Sequence, residues 1–129
     1  MFKYAYNYSK FSFWCKPEYE EILDNQIKNS EFLIVGLTWC DWTKRSKQLL
    51  QDNYDIKPTI LAPDVVTNEY KVNMLYCLSK KVNTVYVPQI WIRGKHIGNF
   101  EQLYKMHHRN QIKKEFVYHI SLNFIYENN

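Results

Sequence analysis

Four apolar residues in a row, Phe32-Leu33-Ile34-Val35, run through Gly36-Leu37 into Thr38-Trp39-Cys40-Asp41-Trp42-Thr43. An unbroken apolar run of this kind suits a strand buried on both faces, not one with a wet side. Such a strand requires helices above and below its sheet. The residues that follow supply one. From Asp41 to about Asn53, Trp42, Ser46, Leu49 and Leu50 fall on one side, and Lys44, Arg45, Lys47, Gln48 and Gln51 on the other. Cys40 therefore sits at a strand-to-helix junction. The N–H groups of a helix start favour an anion there, which promotes the thiolate form of a cysteine.

The rest of the chain reads as alternating elements. Pro17 opens a helix, with Glu18, Glu20 and Glu21 in or near its first turn and Tyr19, Ile22, Leu23 and Ile27 at helical spacing. The first core strand covers Phe32 to Leu37. A short strand at Pro58 to Leu61 precedes a helix expected from about Thr67 to Lys81, with Val72, Leu75, Tyr76 and Leu78 apolar. Gln89 to Arg93 and Lys95 to Ile97 form a strand pair around a tight turn at Arg93-Gly94. A helix follows Gly98, carrying Phe100, Leu103, Tyr104 and Met106, and a last one is expected from Gln111 to about His119. This order gives a βαβ unit, then a hairpin and a covering helix: a mixed four-stranded sheet with helices on both faces. The expected core includes Phe32, Leu33, Ile34, Val35, Leu49, Leu50, Leu75, Ile90, Ile92 and Leu103. Residues 1–16 are a Tyr- and Phe-rich extension, irregular with room for a short strand, 17–118 a single domain, and 119–129 a tail.

Composition narrows the classes. At 129 residues the chain buries enough surface for one domain. The net charge of +4 is spread along the sequence without a long basic run, so a solvated surface is the expected reading and no nucleic-acid partner is assigned. No stretch approaches the length of a membrane span, and the aromatic N-terminus lacks the continuous apolar segment of a secretory signal. Three cysteines at no metal-like spacing read as free thiols in the cytoplasm or another reducing compartment. Cys77 reads as a small buried apolar residue, and Cys15 as a free thiol or a partner for Cys40. His96, His107 and His108 have no ligand spacing with another Cys, His or acid, so no metal site is assigned.

Two blocks carry a resemblance to a known family. Trp39-Cys40-Asp41-Trp42-Thr43 stands where glutaredoxins have Cys-Pro-Tyr-Cys or Cys-x-x-Ser. Tyr86-Val87-Pro88 and the following Gln89-Ile90-Trp91-Ile92-Arg93-Gly94-Lys95-His96-Ile97-Gly98-Asn99-Phe100-Glu101 match that family's Thr-Val-Pro, strand, turn and Gly-Gly-x-Asp. The chain thus resembles glutaredoxin, of the thioredoxin-fold superfamily, over roughly residues 17–117. The resemblance implies a three-layer α/β/α fold, a cis Pro88, and Cys40 as the catalytic thiol. It implies glutathione held by Trp39, Trp42, Thr43, Val87, Pro88, Gly98, Asn99, Phe100 and Glu101. The Val87 backbone would pair with the glutathione peptide, and the helix after Gly98 would face its γ-glutamyl end.

The sequence also departs from that pattern. Thr43 replaces the second cysteine, so the arrangement is of monothiol type. Leu37 stands where the family commonly has Lys, Met74 and Leu75 fall near its carboxylate-binding residue, and Asn99 replaces the second Gly. Asp41 adjoins the cysteine and opposes a thiolate, with Lys44 and Arg45 partly offsetting it. Three functions fit. The first is a glutathione-dependent oxidoreductase acting through Cys40 on glutathionylated proteins, as a monomer. The second is a carrier of a 2Fe–2S cluster, with Cys40 as ligand and two protomers sharing glutathione. The third is a non-catalytic binding module on the same fold.

Overall fold

The computed structural model describes residues 14–84 and 86–112, and the backbone of 2–3. The elements are β1 (Phe2–Lys3), α1 (Pro17–Asn29), β2 (Phe32–Val35), α2 (Asp41–Tyr54), β3 (Thr59–Leu61), α3 (Asn68–Val82), β4 (Tyr86–Val87), β5 (Gln89–Ile92), β6 (Lys95–Gly98) and α4 (Phe100–His108). A single 3-10 turn, Pro63–Val65, separates β3 from α3. The helix expected from Gln111 and the tail lie outside the described residues beyond Ile112.

Four strands form one sheet in the order β3-β2-β5-β6. β2 and β3 run parallel, and β2 with β5 and β5 with β6 run antiparallel. β2 shows why the sequence demanded two helical layers. Its alternate residues serve two different cores. Leu33 and Val35 join Leu23 of α1 and Met74, Leu75 and Leu78 of α3. Phe32 and Ile34 join Leu49 and Leu50 of α2, Ile90 and Ile92 of β5 and Leu103 of α4. All ten expected core residues are buried. This is the thioredoxin-like α/β/α sandwich of glutaredoxins. No helix among the described residues is long and apolar enough to cross a membrane.

Local signals set the boundaries. Thr67 caps α3 by accepting the Tyr70 N–H at 3.1 Å. Asp55 and Asn83 end α2 and α3 in the left-handed conformation, which short polar side chains tolerate. Arg93 and Gly94 both have positive φ, so the β5–β6 turn has the form that matches strand twist. The first core strand stops at Val35 rather than Leu37 because the chain turns toward α2: the Cys40 N–H returns to the Leu37 carbonyl at 3.1 Å.

One expectation is corrected. Cys15 and Cys77 form a disulfide, so neither is a free thiol and Cys77 is not a lone apolar residue. They lie 62 positions apart, and packing of α1 on α3 brings their Cα atoms to 4.6 Å. Lys80–Glu20 at 3.1 Å and Lys81–Asp24 at 2.6 Å bridge the same two helices. The inference of a reducing compartment from three unpaired cysteines therefore loses its basis. Leu37 is 3% exposed and packs in the same core cluster as Cys40.

Candidate functional site

Cys40 is the free cysteine. It is the N-cap residue of α2, with an extended backbone, and its carbonyl accepts the Thr43 N–H at 3.1 Å and the Lys44 N–H at 3.3 Å. Its side chain makes no capping bond, so the sulfur lies at the positive end of the helix without being consumed by it. It is also only 3% exposed.

The loop before it is fixed at both ends. Gly36 donates its N–H to the Leu61 carbonyl at 3.1 Å, which extends the β2–β3 pairing by one residue. Thr38 is held by Asp64 of the 3-10 turn, whose two carboxylate oxygens accept the Thr38 N–H at 3.2 and 3.1 Å and whose Oδ2 also takes its hydroxyl. Sequence reading had no means of finding Asp64, because 26 residues separate it from Thr38.

Thr43 lies one turn into α2 and is buried. Its Oγ1 has no hydrogen-bond partner among the described residues. Gly36 explains how close Thr43 comes: a Cβ there would fall 2.9 Å from Thr43 Cγ2 and 3.2 Å from Pro88 Cβ. Gly36 is thus the point at which α2 and the Val87–Pro88 segment converge. The Val87–Pro88 bond is cis, and both residues are buried. Val87 and Cys40 share one core cluster. Gln89, also buried, donates its Nε2–H to the Tyr86 carbonyl at 2.8 Å. Its Oε1 must then accept from His96 Nε2 at 2.8 Å, which fixes the proton on that nitrogen. The His96 ring lies 4.9 Å from Trp91. More than a third of His96 stays exposed, yet desolvation on this side lowers its pKa from the ordinary 6.5.

A second group gathers at the start of α4. Gly98 has φ +122, and a Cβ there would meet Gln102 Oε1 at 2.8 Å. Asn99 caps the helix: its Oδ1 accepts the Glu101 N–H at 2.9 Å and the Gln102 N–H at 3.4 Å, while Gln102 Oε1 accepts the Asn99 N–H at 2.9 Å. Two amides that an incoming carboxylate could use are therefore already bonded to a side chain. Trp42 reaches this group from α2, with its ring 5.2 Å from Phe100 and the Arg45 guanidinium 4.7 Å over it. Trp42, Phe100, Glu101 and Tyr104 line a shallow, mostly apolar cavity of about 290 Å³. Glu101 is exposed and pairs with Lys105 at 3.4 Å. Trp39 is half exposed.

The fold thus brings Cys40, Thr43, Val87 and Pro88 to one end of α2, and Trp42, Gly98, Asn99, Phe100 and Glu101 to the adjoining start of α4. Met74 and Leu75 are buried and offer nothing to an anion.

A free cysteine at a helix start, sharing a core cluster with the residue before a cis proline, is the arrangement that the thioredoxin-fold resemblance implies. Comparison with known proteins takes the assignment further. No family model matches the chain. A chloroplastic monothiol glutaredoxin of Arabidopsis thaliana is 23% identical over 95 residues, which cover 73% of this chain and 51% of that protein. An uncharacterized monothiol glutaredoxin of Caenorhabditis elegans is 24% identical over 94 residues, covering 73% and 63%. The chain therefore spans between half and two thirds of the length of these relatives. Among solved structures, wheat glutaredoxin superposes with a TM-score of 0.70 at 14% identity, covering 76% of this chain and 90% of that one. A buckwheat glutaredoxin–glutathione complex superposes at 0.66 and 16%, covering 85% and 91%. The fold is the glutaredoxin fold, and these comparisons support the glutaredoxin family for this chain.

Proposed function

We propose that the protein is a glutathione-dependent thiol–disulfide oxidoreductase of monothiol type, with Cys40 as its nucleophile and glutathionylated proteins as its substrates. The observation that carries this reading is the state of the three cysteines. Cys15 and Cys77 are bonded to each other, Thr43 occupies the place of a resolving cysteine, and Cys40 alone is free at a helix start. One thiol suffices for exchange with a glutathione mixed disulfide, whereas a two-cysteine route has no second thiol at the site.

In the reaction, the Cys40 thiolate attacks the glutathione sulfur of a protein–glutathione disulfide. That S–S bond breaks, the protein leaves as a thiolate and takes a proton, and Cys40 becomes glutathionylated. A second glutathione thiolate then attacks the same glutathione sulfur. Glutathione disulfide leaves, and Cys40 returns as a thiolate. The positive end of α2 stabilises that thiolate in both steps. The Thr43 hydroxyl, without a partner among the described residues and one turn away, is available to donate to it. The Val87 backbone serves the glutathione cysteinyl unit. The start of α4 serves the γ-glutamyl unit, where Asn99 competes with the ligand for the Glu101 and Gln102 amides. A buckwheat glutaredoxin of similar fold is a complex with glutathione, which supports this ligand class.

For an iron–sulfur cluster, one chain supplies one thiolate. The oxidoreductase reading needs no second protomer. It is tested by deglutathionylation of a model protein disulfide with the native chain and with Cys40→Ser. Activity in the native chain and its loss in the variant are expected; equal rates in both end the proposal.

A further inference from the structure

β4 stands outside the four-stranded sheet, and its partner is the chain's own N-terminal strand. β1 pairs antiparallel with it, Phe2 opposite Val87 and Lys3 opposite Tyr86. A two-residue strand that ends at a proline offers few backbone groups for pairing, because Pro88 has no N–H. Whatever pairs with Val87 therefore takes most of what that edge can give. Val87 is also the residue on which the proposed function seats the glutathione cysteinyl backbone. The two occupants would use one edge in one direction. Cys40 itself is 3% exposed.

We propose that β1 is an internal competitor that holds the glutathione edge of Val87, so that substrate must displace the N-terminal strand before reaching Cys40. The inference rests on the glutathione reading above. Geometry favours the internal strand. The extension is fixed to the domain at Cys15 through Cys77, and eleven residues lie between Lys3 and Cys15. A tether this short gives an effective concentration on the order of millimolar, comparable to that of an abundant free thiol. Two paired residues make a weak interaction, so displacement is reversible. The strand then sets a threshold for occupancy rather than a permanent block.

The test keeps the whole chain and replaces both strand residues by proline, Phe2→Pro with Lys3→Pro, which removes their N–H donors. Lys3→Ala is the control that keeps the backbone. Glutathione titration is followed by tryptophan fluorescence, and amide hydrogen exchange is followed across Tyr86–Val87. The double-proline chain is expected to exchange faster at these amides and to bind glutathione about twofold more tightly or better, the gain when a site occupied half the time or more is freed. Lys3→Ala should match the native chain. Unchanged exchange at Tyr86–Val87, or equal glutathione affinity in the native and double-proline chains, overturns the competitor while leaving the glutathione reading intact. No glutathione binding by any of the three overturns that reading, and the competitor with it.

Discussion

Asp64 grips Thr38 through one carboxylate that accepts three hydrogen bonds, two from the Thr38 backbone N–H and one from its hydroxyl. Thr38 lies two residues before Cys40, so this contact fixes the approach to α2. In Asp64→Ala the Thr38 N–H loses a charged acceptor. A loss of about 1.5 kcal/mol of stability is expected, at the low end for hydrogen bonds to charged groups because the site is open to water. Alkylation of Cys40 by iodoacetamide should quicken as the loop loosens. An unchanged urea midpoint together with an unchanged alkylation rate would show that the contact positions nothing.

Leu37 offers a sharper case, because the family resemblance suggests a lysine there. The side chain is buried in the core with Leu33, Val35 and Leu78. Leu37→Lys should therefore destabilise the domain by about 2–5 kcal/mol, the range for losing a buried leucine, rather than activate the thiol. Leu37→Met should cost less than about 1.5 kcal/mol. Urea unfolding of the two variants decides the matter, and a stable Leu37→Lys chain with faster Cys40 alkylation would restore the family role.

Asn99→Gly removes the side chain that occupies the Glu101 and Gln102 amides. Glycine is itself a tolerable N-cap, so the helix should lose only about half a kcal/mol. Freed amides are available to a carboxylate, and glutathione affinity should rise. Titration by fluorescence checks this. Weaker binding in the variant would mean that Asn99 touches the ligand directly instead of competing with it.

His96 links stability to pH. Its folded pKa lies below the ordinary 6.5 because burial opposes the charged ring. The unfolded chain therefore takes up the proton first as pH falls. The stabilising contribution is complete above about pH 6.5 and declines as pH drops from there through the lower folded value. Comparing urea midpoints of native and His96→Gln chains between pH 7.5 and pH 5 isolates the effect. The native chain should lose more over this interval, and parallel curves would contradict the assignment.

The Cys15–Cys77 bond closes a loop spanning 62 positions. Under denaturing, non-reducing conditions one titratable thiol per chain is expected, that of Cys40. A loop of this size is worth about 4 kcal/mol of unfolded-state entropy, so Cys15→Ser should lower stability by up to that amount. Three titratable thiols would show that the pair does not form.

Much of this architecture was legible in the chain. The unbroken run Phe32–Val35 required a covered sheet, and β2 indeed divides its residues between two cores. Cys40 at a helix start followed from the apolar spacing of α2. What escaped was decided by distance in sequence. Asp64 and Thr38 meet across 26 positions, and Cys15 and Cys77 across 62, with no periodicity to mark either pair. β1 was anticipated only as a short strand somewhere in an aromatic extension, because two residues carry too little pattern to name a partner.

Gly36 joins residues that would otherwise vary independently. Thr43 and Pro88 both reach the space that a Cβ would fill there, so the three positions share one small volume. Side-chain bulk at 43 is possible only while 36 remains bare, and a methyl group at 36 would have to be matched by a smaller residue at 43. Side-chain size at the place of the missing second cysteine is thus limited by a residue on the far side of the loop, and a substitution at 36 should be accepted only together with a smaller residue at 43.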